Sequence, residues 1–138
     1  MIRQRLGKDL LFFDGGMGTL LQEKGLAPGE LPETWNLTHS EEIYKIHRQY
    51  IEAGSDIILT NTFGANALKF HDDSCSLEEI IKAAVSHVKK AEREALLQTG
   101  DERKIYTALD VGPTGKLLKP MGDLEFETAY EAFKEVVI

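Results

Sequence analysis

The 138-residue sequence predicts an α/β fold in which parallel strands are joined by helical crossovers. Three observations carry that expectation. Short apolar runs ending in polar residues recur at residues 10–14 (LLFFD), 56–62 (DIILTNT) and 105–111 (IYTALDV). Each run is rich in β-branched or aromatic residues and bounded by glycine or polar residues, as buried strands are. Amphipathic stretches at helical spacing lie between and after them, so the order reads β, α, β, α, β, α. Such alternation implies right-handed crossovers, and leaves an open doubly wound sheet and a (β/α)8 barrel as competing architectures.

The elements follow in order. Arg3, Arg5 and Lys8 precede the first apolar run, which is too short for a signal-peptide core and stops at Asp14. Three glycines, Gly15, Gly16 and Gly18, then lead into a helix-like stretch. Thr38 and Glu41 fit a capping box ahead of Ile43, Ile46, Tyr50 and Ala53, and Gly54 stands where that helix should end. A longer helical face runs from Leu77 through Ile80, Ala84, Val88 and Ala91 to Ala95, and Gly100 closes it. The last begins near Phe126 and continues through Tyr130, Phe133 and Val137. It stops at EVVI without a cap, whereas a complete barrel takes ~250 residues. Residues 1–138 are therefore expected to be the first βα units of a truncated (β/α)8 barrel. Its last helix and third strand would expose apolar surface, and the open sheet edge could pair with another copy.

Composition narrows the function. Hydrophobic residues make up 42% and charged residues 28%, as in soluble globular proteins. Sixteen basic against twenty-three acidic residues give a net charge of -7, which opposes a surface for nucleic-acid phosphates. Cys75 is the single cysteine, so no internal disulfide can form. No stretch reaches the ~18 apolar residues of a membrane span. A cytoplasmic protein with neither nucleic-acid nor membrane partners is expected.

In parallel α/β folds, ligands bind where strands deliver their C-terminal ends. Here those ends carry Asp14-Gly15-Gly16-Met17-Gly18, then TNTFGAN at 60–66, then DVGPTG at 110–115. Glycine there permits positive φ and close approach of a ligand to the backbone. The N–H groups of Gly15, Gly16 and Gly18, near a helix start, suit a carboxylate or phosphate. Asp14 suits a cation instead. A zwitterionic amino acid satisfies both halves of the turn. A dinucleotide fits worse: Leu21 occupies the third glycine position of G-x-G-x-x-G, and the second strand ends in Thr60-Asn61-Thr62 rather than in an acid.

Other groups have simpler readings. His71, Asp72, Asp73 and Cys75 share a polar loop without a second His or Cys at zinc spacing, and read as solvated. His47 and His87 read as core-edge or surface side chains, and Trp35 as packing for the loop that holds it.

Four strings taken in series, DGGMGTLLQ, ELPETWNLTH, IHRQYIEAGSDIILTNTFGAN and ALDVGPTGKLLKP, resemble the homocysteine S-methyltransferase family. Within it they are most similar to the N-terminal homocysteine-binding module of the cobalamin-dependent methionine synthases. The resemblance implies a (β/α)8 barrel that binds homocysteine at its strand ends and supports methyl transfer to the sulfur. It implies Asp14 for the ammonium and the Gly15–Gly16 backbone for the carboxylate, with Thr60, Asn61 and Asp110 as polar lining. It further implies a zinc ion held by three cysteines on later strands, with methylcobalamin and methyltetrahydrofolate on other modules. Cys75 matches none of those cysteines, so no metal is expected on these residues.

Overall fold

The computed structural model describes residues 2–71, 74–100 and 102–137. Helices α1 (Gly18–Glu23), α2 (Trp35–Thr38) and α3 (Ser40–Glu52) precede strand β1 (Ile57–Leu59). Helix α4 (Leu77–Thr99), strand β2 (Tyr106–Ala108) and helix α5 (Phe126–Val137) follow. The two strands are parallel, with Ile57, Ile58 and Leu59 opposite Tyr106, Thr107 and Ala108. An α/β fold with a parallel sheet is what the alternation predicted.

The first apolar run departs from expectation. Residues 10–14 make a single parallel bridge, Phe13 to Ile57, rather than a strand. The ladder starts normally: Ile57 N–H donates to the Phe12 carbonyl at 3.0 Å and Asp14 N–H to the Ile57 carbonyl at 3.0 Å. Leu59 N–H, which would make the next rung, donates to Asp14 Oδ2 instead, also at 3.0 Å. The acid that ends the run replaces the backbone acceptor with its own side chain, and pairing stops there.

Helix α4 is the longest element, and both its ends are built by sequence. Ser76 and Glu79 form a reciprocal capping box, and Gly100 closes the helix at φ 67 in the left-handed region. The box expected at Thr38 and Glu41 does not form. Trp35–Thr38 is already helical, Thr38 Oγ1 donates back to the Thr34 carbonyl, and His39 caps α3 without a side-chain bond. Gly54 follows the end of α3 at φ 111, as expected.

The stripe Ala84, Val88, Ala91 and Ala95 is buried. Its small side chains let α4 approach α3, where Tyr44, Ile51 and Ile58 of β1 complete one core with Ile105. A second core gathers Leu21, Leu26, Trp35, Ile43 and Ile46, which fixes α1 and the loop after it against α3. Trp35 is a packing residue there, with its ring on His39 at 4.0 Å and its Nε1 donating to Glu30. Each fully buried Ile contributes about 1.5–3 kcal/mol, so these two clusters hold the strand ends in place. Along the open side of the sheet, Leu10, Phe12 and Phe13 are exposed. Among the described residues no helix is long and apolar enough to cross a membrane.

Candidate functional site

A cavity of about 340 Å³ opens at the C-terminal ends of the sheet. Asp14, Gly15, Gly16, Thr60, Asn61 and Asp110, predicted from three separate strand ends, all line it.

Asp14 is held at its edge by the half-formed ladder. Oδ2 accepts from Leu59 N–H, while Oδ1 is buried and has no hydrogen-bond partner among the described residues. Burial, with a smaller contribution from the Asp110 charge, pushes its carboxyl up to about 6. Burial raises the Asp110 carboxyl as well. Among the described residues no ion pair engages Asp14.

The glycine turn beside Asp14 is shaped by Tyr50, whose hydroxyl donates to the Gly16 carbonyl at 3.0 Å. A Cβ on Gly15 would stand 2.7 Å from that hydroxyl. Of the two sequence-based reasons for glycine here, positive φ is not used: Gly15, Gly16 and Gly18 all lie outside that region. Close approach, here of the Tyr50 side chain, is the reason at Gly15. Among the described residues the N–H groups of Gly15 and Gly16 make no backbone hydrogen bond, and both residues are exposed.

The second and third strand ends are locked together. Asp110 N–H donates to Thr60 Oγ1 at 3.2 Å, and Thr62 Oγ1 donates to the Asp110 carbonyl at 2.8 Å. The two threonine hydroxyls lie 2.7 Å apart. Since the Thr62 proton is already given to Asp110, Thr60 must be the donor between them, and the ring closes. Asn61 spends both amide protons on the Pro32 carbonyl and on Asn36 Oδ1. Thr60 and Asn61 therefore form the wall of the cavity, with their side-chain donors already used inside the protein. Asp110, tied by its backbone, keeps its carboxyl free to act.

One lining residue was not anticipated. Glu33, in the turn Pro32–Thr34, is 3% exposed and lines the same cavity. Its Oε1 accepts from Gly64 N–H, and its Oε2 has no partner among the described residues. The string ELPETWNLTH held it, but nothing in the pattern separates a buried acid in a turn from a solvated one. Lys69 also lines the cavity, with its Nζ 5.3 Å from the centre of the Phe63 ring.

His87 bonds the Asn36 carbonyl through Nε2 at 2.7 Å, which ties α4 to α2 behind the cavity wall. His47 is fully buried, deeper than the core-edge position expected, and neither ring nitrogen has a hydrogen-bond partner among the described residues. Burial, and the nearby His87, lower its pKa to about 4. Asp72 and Asp73 lie outside the described residues, and Cys75 is a free, partly exposed thiol.

A family model for homocysteine S-methyltransferase matches residues 11–138. The chain belongs to this family. Methionine synthases of Mycobacterium leprae (strain TN) and Mycobacterium tuberculosis (strain ATCC 25618 / H37Rv) are each 30% identical to it over 96% of its length. The chain spans 11% and 12% of those two relatives, about a tenth of each. Solved structures of MmuM, a homocysteine methyltransferase from Escherichia coli, align with TM-scores of 0.70 in the metallated form and 0.68 in the apo form. Those alignments cover 83% and 94% of this chain and 42% and 44% of MmuM, at 24% and 23% identity. At that identity the likeness is one of fold. Among the described residues no three His, Cys, Asp or Glu side chains gather closely enough to hold a metal ion. The described residues therefore do not fit the zinc ion that the resemblance implies.

Proposed function

We propose that this chain supplies the amino-acid half of a homocysteine pocket, in an enzyme of the methionine synthase type. The reaction forms a bond between a methyl carbon and the homocysteine sulfur as the bond from methyl to donor breaks. The sulfur gives the electron pair, having lost its proton, and methionine is the product. Asp14 Oδ1 accepts from the substrate ammonium, and the N–H groups of Gly15 and Gly16 donate to its carboxylate. Thr60 and Asn61 shape the wall, and Asp110 adds negative charge near the ammonium. None of these side chains makes or breaks a bond; they orient the substrate.

The observation that carries this reading is Asp14: a carboxyl in a cavity, one oxygen unpartnered among the described residues, beside N–H groups that make no backbone hydrogen bond. An ammonium and a carboxylate on one carbon satisfy both. A phosphate-bearing ligand is disfavoured, because Asp14, Glu33 and Asp110 outnumber Lys69 on the lining. On this reading the chain forms the first βα units of a (β/α)8 barrel. Zinc, methylcobalamin and the methyltetrahydrofolate module belong to other parts of the intact enzyme.

Two experiments test the proposal. Homocysteine should raise the melting temperature of the chain and sugar phosphates should not; stabilisation by phosphates alone would overturn it. In the intact enzyme, Asp14→Ala should raise the homocysteine KM strongly, and an unchanged KM and kcat would remove Asp14 from the site.

A second reading rests on the sheet edge, where Phe12 and Phe13 are 55% and 59% exposed. Two copies joined along that edge would bury both rings and complete the unpaired backbone. Light scattering that finds a monomer at high concentration would dismiss it.

A further inference from the structure

Glu33 is the most buried of the three acids on the cavity, and the strand-end pattern does not account for it. Its backbone lies in the Pro32–Thr34 turn, and the chain around it is stitched to the strand-end loop at several points. Asn61 donates to the Pro32 carbonyl at 2.8 Å, Asn36 donates to the Asn61 carbonyl at 2.8 Å, and Gly64 N–H donates to Glu33 Oε1. A Cβ on Gly64 would stand 2.8 Å from that oxygen, so the glycine is what admits it. Anchoring the loop uses Oε1 alone. Oε2 stays buried and unpartnered among the described residues, on a side chain that lines the cavity.

A carboxylate oxygen buried without a donor is costly, more so than a neutral acceptor. A ligand that fills the cavity must therefore bring it a donor. The zwitterion of homocysteine has two kinds of donor, the three N–H bonds of its ammonium and one weak S–H, while its carboxylate has none. Asp14 Oδ1 can take only one of the ammonium protons.

We infer that Glu33 is a second binding residue for the substrate ammonium, with its Oε2 accepting from one N–H while Asp14 Oδ1 accepts from another. This rests on the reading of the cavity as an amino-acid site. Two acceptors from different elements fix the direction of the ammonium as well as its charge. They make the site selective for α-amino acids over thiol carboxylates that lack the amino group. Glu33 and the glycine turn then hold opposite ends of the same zwitterion, so the position of the Cα follows from the Pro32–Thr34 turn as well as from the first strand end.

Calorimetric titration of the chain with homocysteine and with 4-mercaptobutanoate, which lacks only the amino group, separates the possibilities. Glu33→Gln keeps an oxygen for Gly64 N–H but puts an NH2 where Oε2 stands. Its affinity for homocysteine should fall on the order of ten- to a hundredfold, the usual effect of losing a bond to a charged group. Its affinity for 4-mercaptobutanoate should stay that of the wild type. Equal loss for both ligands would make Glu33 a loop anchor only, and no loss for either would overturn the inference outright. Failure of the wild-type chain to bind homocysteine would overturn the amino-acid reading itself, and this inference with it. Should Glu33→Gln fail to fold, carbon-13 carboxyl labelling of the wild type decides. The Glu33 signal should move with homocysteine and not with 4-mercaptobutanoate, and a signal unmoved by homocysteine contradicts the inference.

Discussion

Asn36 and Asn61 are bonded to each other twice. Asn36 Nδ2 donates to the Asn61 carbonyl at 2.8 Å, and Asn61 Nδ2 donates to Asn36 Oδ1 at 3.2 Å, with both residues buried. Through this pair the short helix α2 carries the end of β1, and the cavity wall becomes a rigid part of the core. Asn61→Ala would leave Asn36 Oδ1 without its donor in the interior, while the Pro32 carbonyl keeps the Trp35 N–H. The expected loss is about 2 kcal/mol, read as a lower urea midpoint at unchanged slope. Adding Asn36→Ala should cost less than the sum of the two single changes, since the partners are shared.

Ligand binding should follow the ionisation of Asp14. Its carboxyl sits at about 6, and the ionised form is the one that pairs with an ammonium. Homocysteine affinity should therefore rise with pH up to that value, by roughly tenfold per unit, and level off above it. Asp14→Asn should flatten this dependence and lower the plateau; calorimetry across pH 4.5 to about 8 reads both. The stability linkage runs the other way. A carboxyl raised on folding from 3.8 contributes stability that is fully present below 3.8 and lost as pH rises through about 6.

His47 predicts acid sensitivity of the opposite sense. Its folded pKa of about 4 lies below the ordinary 6.5, so the neutral ring is the folded form. Stability from this group is intact above pH 6.5 and declines as pH falls from there to about 4, by on the order of 3 kcal/mol in full. His47→Leu removes a buried ring whose two nitrogens lack partners among the described residues. It should leave stability at pH 8 nearly unchanged and weaken the loss between pH 6.5 and about 4, as followed by urea unfolding at both ends.

Two glycines of similar appearance in sequence should behave differently. A Cβ on Gly112 would stand 2.2 Å from the Phe63 carbonyl oxygen, a backbone atom that can move only with its strand end. Gly112→Ala should cost at least about 2 kcal/mol and disturb the cavity, which Phe63 lines. Gly100 has open space around it and a φ of 67. Gly100→Ala should cost only about 1–2 kcal/mol, with no effect on ligand binding. Thermal unfolding and homocysteine titration of the two variants make the comparison.

The sequence made some of this legible because the deciding physics was local. Gly100 and the apolar face of α4 could be read directly, since a cap and a 3.6-residue period depend on neighbours in the chain. Alternation placed residues 14, 60–61 and 110 at strand ends, and the structure brings them to one cavity. What failed was non-local. The first run lost its strand because a side chain, Asp14, captured Leu59 N–H across the sheet. The capping box at Thr38 failed because Trp35 had already started a helical turn, held by its burial in the second core. Ser76 and Glu79 carry the equivalent hydroxyl-x-x-Glu pattern before α4, and there the box does form because no helical turn precedes it. Glu33 owes its importance to Gly64, thirty-one residues away, and no short pattern conveys that.

The central claim is that Asp14 meets an ammonium in this cavity. A carbon-13 titration of its carboxyl, with and without saturating homocysteine, measures that meeting most directly. The free protein should titrate at about 6, and bound homocysteine should draw the value well below it, while 4-mercaptobutanoate should not. An Asp14 carboxyl that still titrates at about 6 under saturating homocysteine would contradict the account.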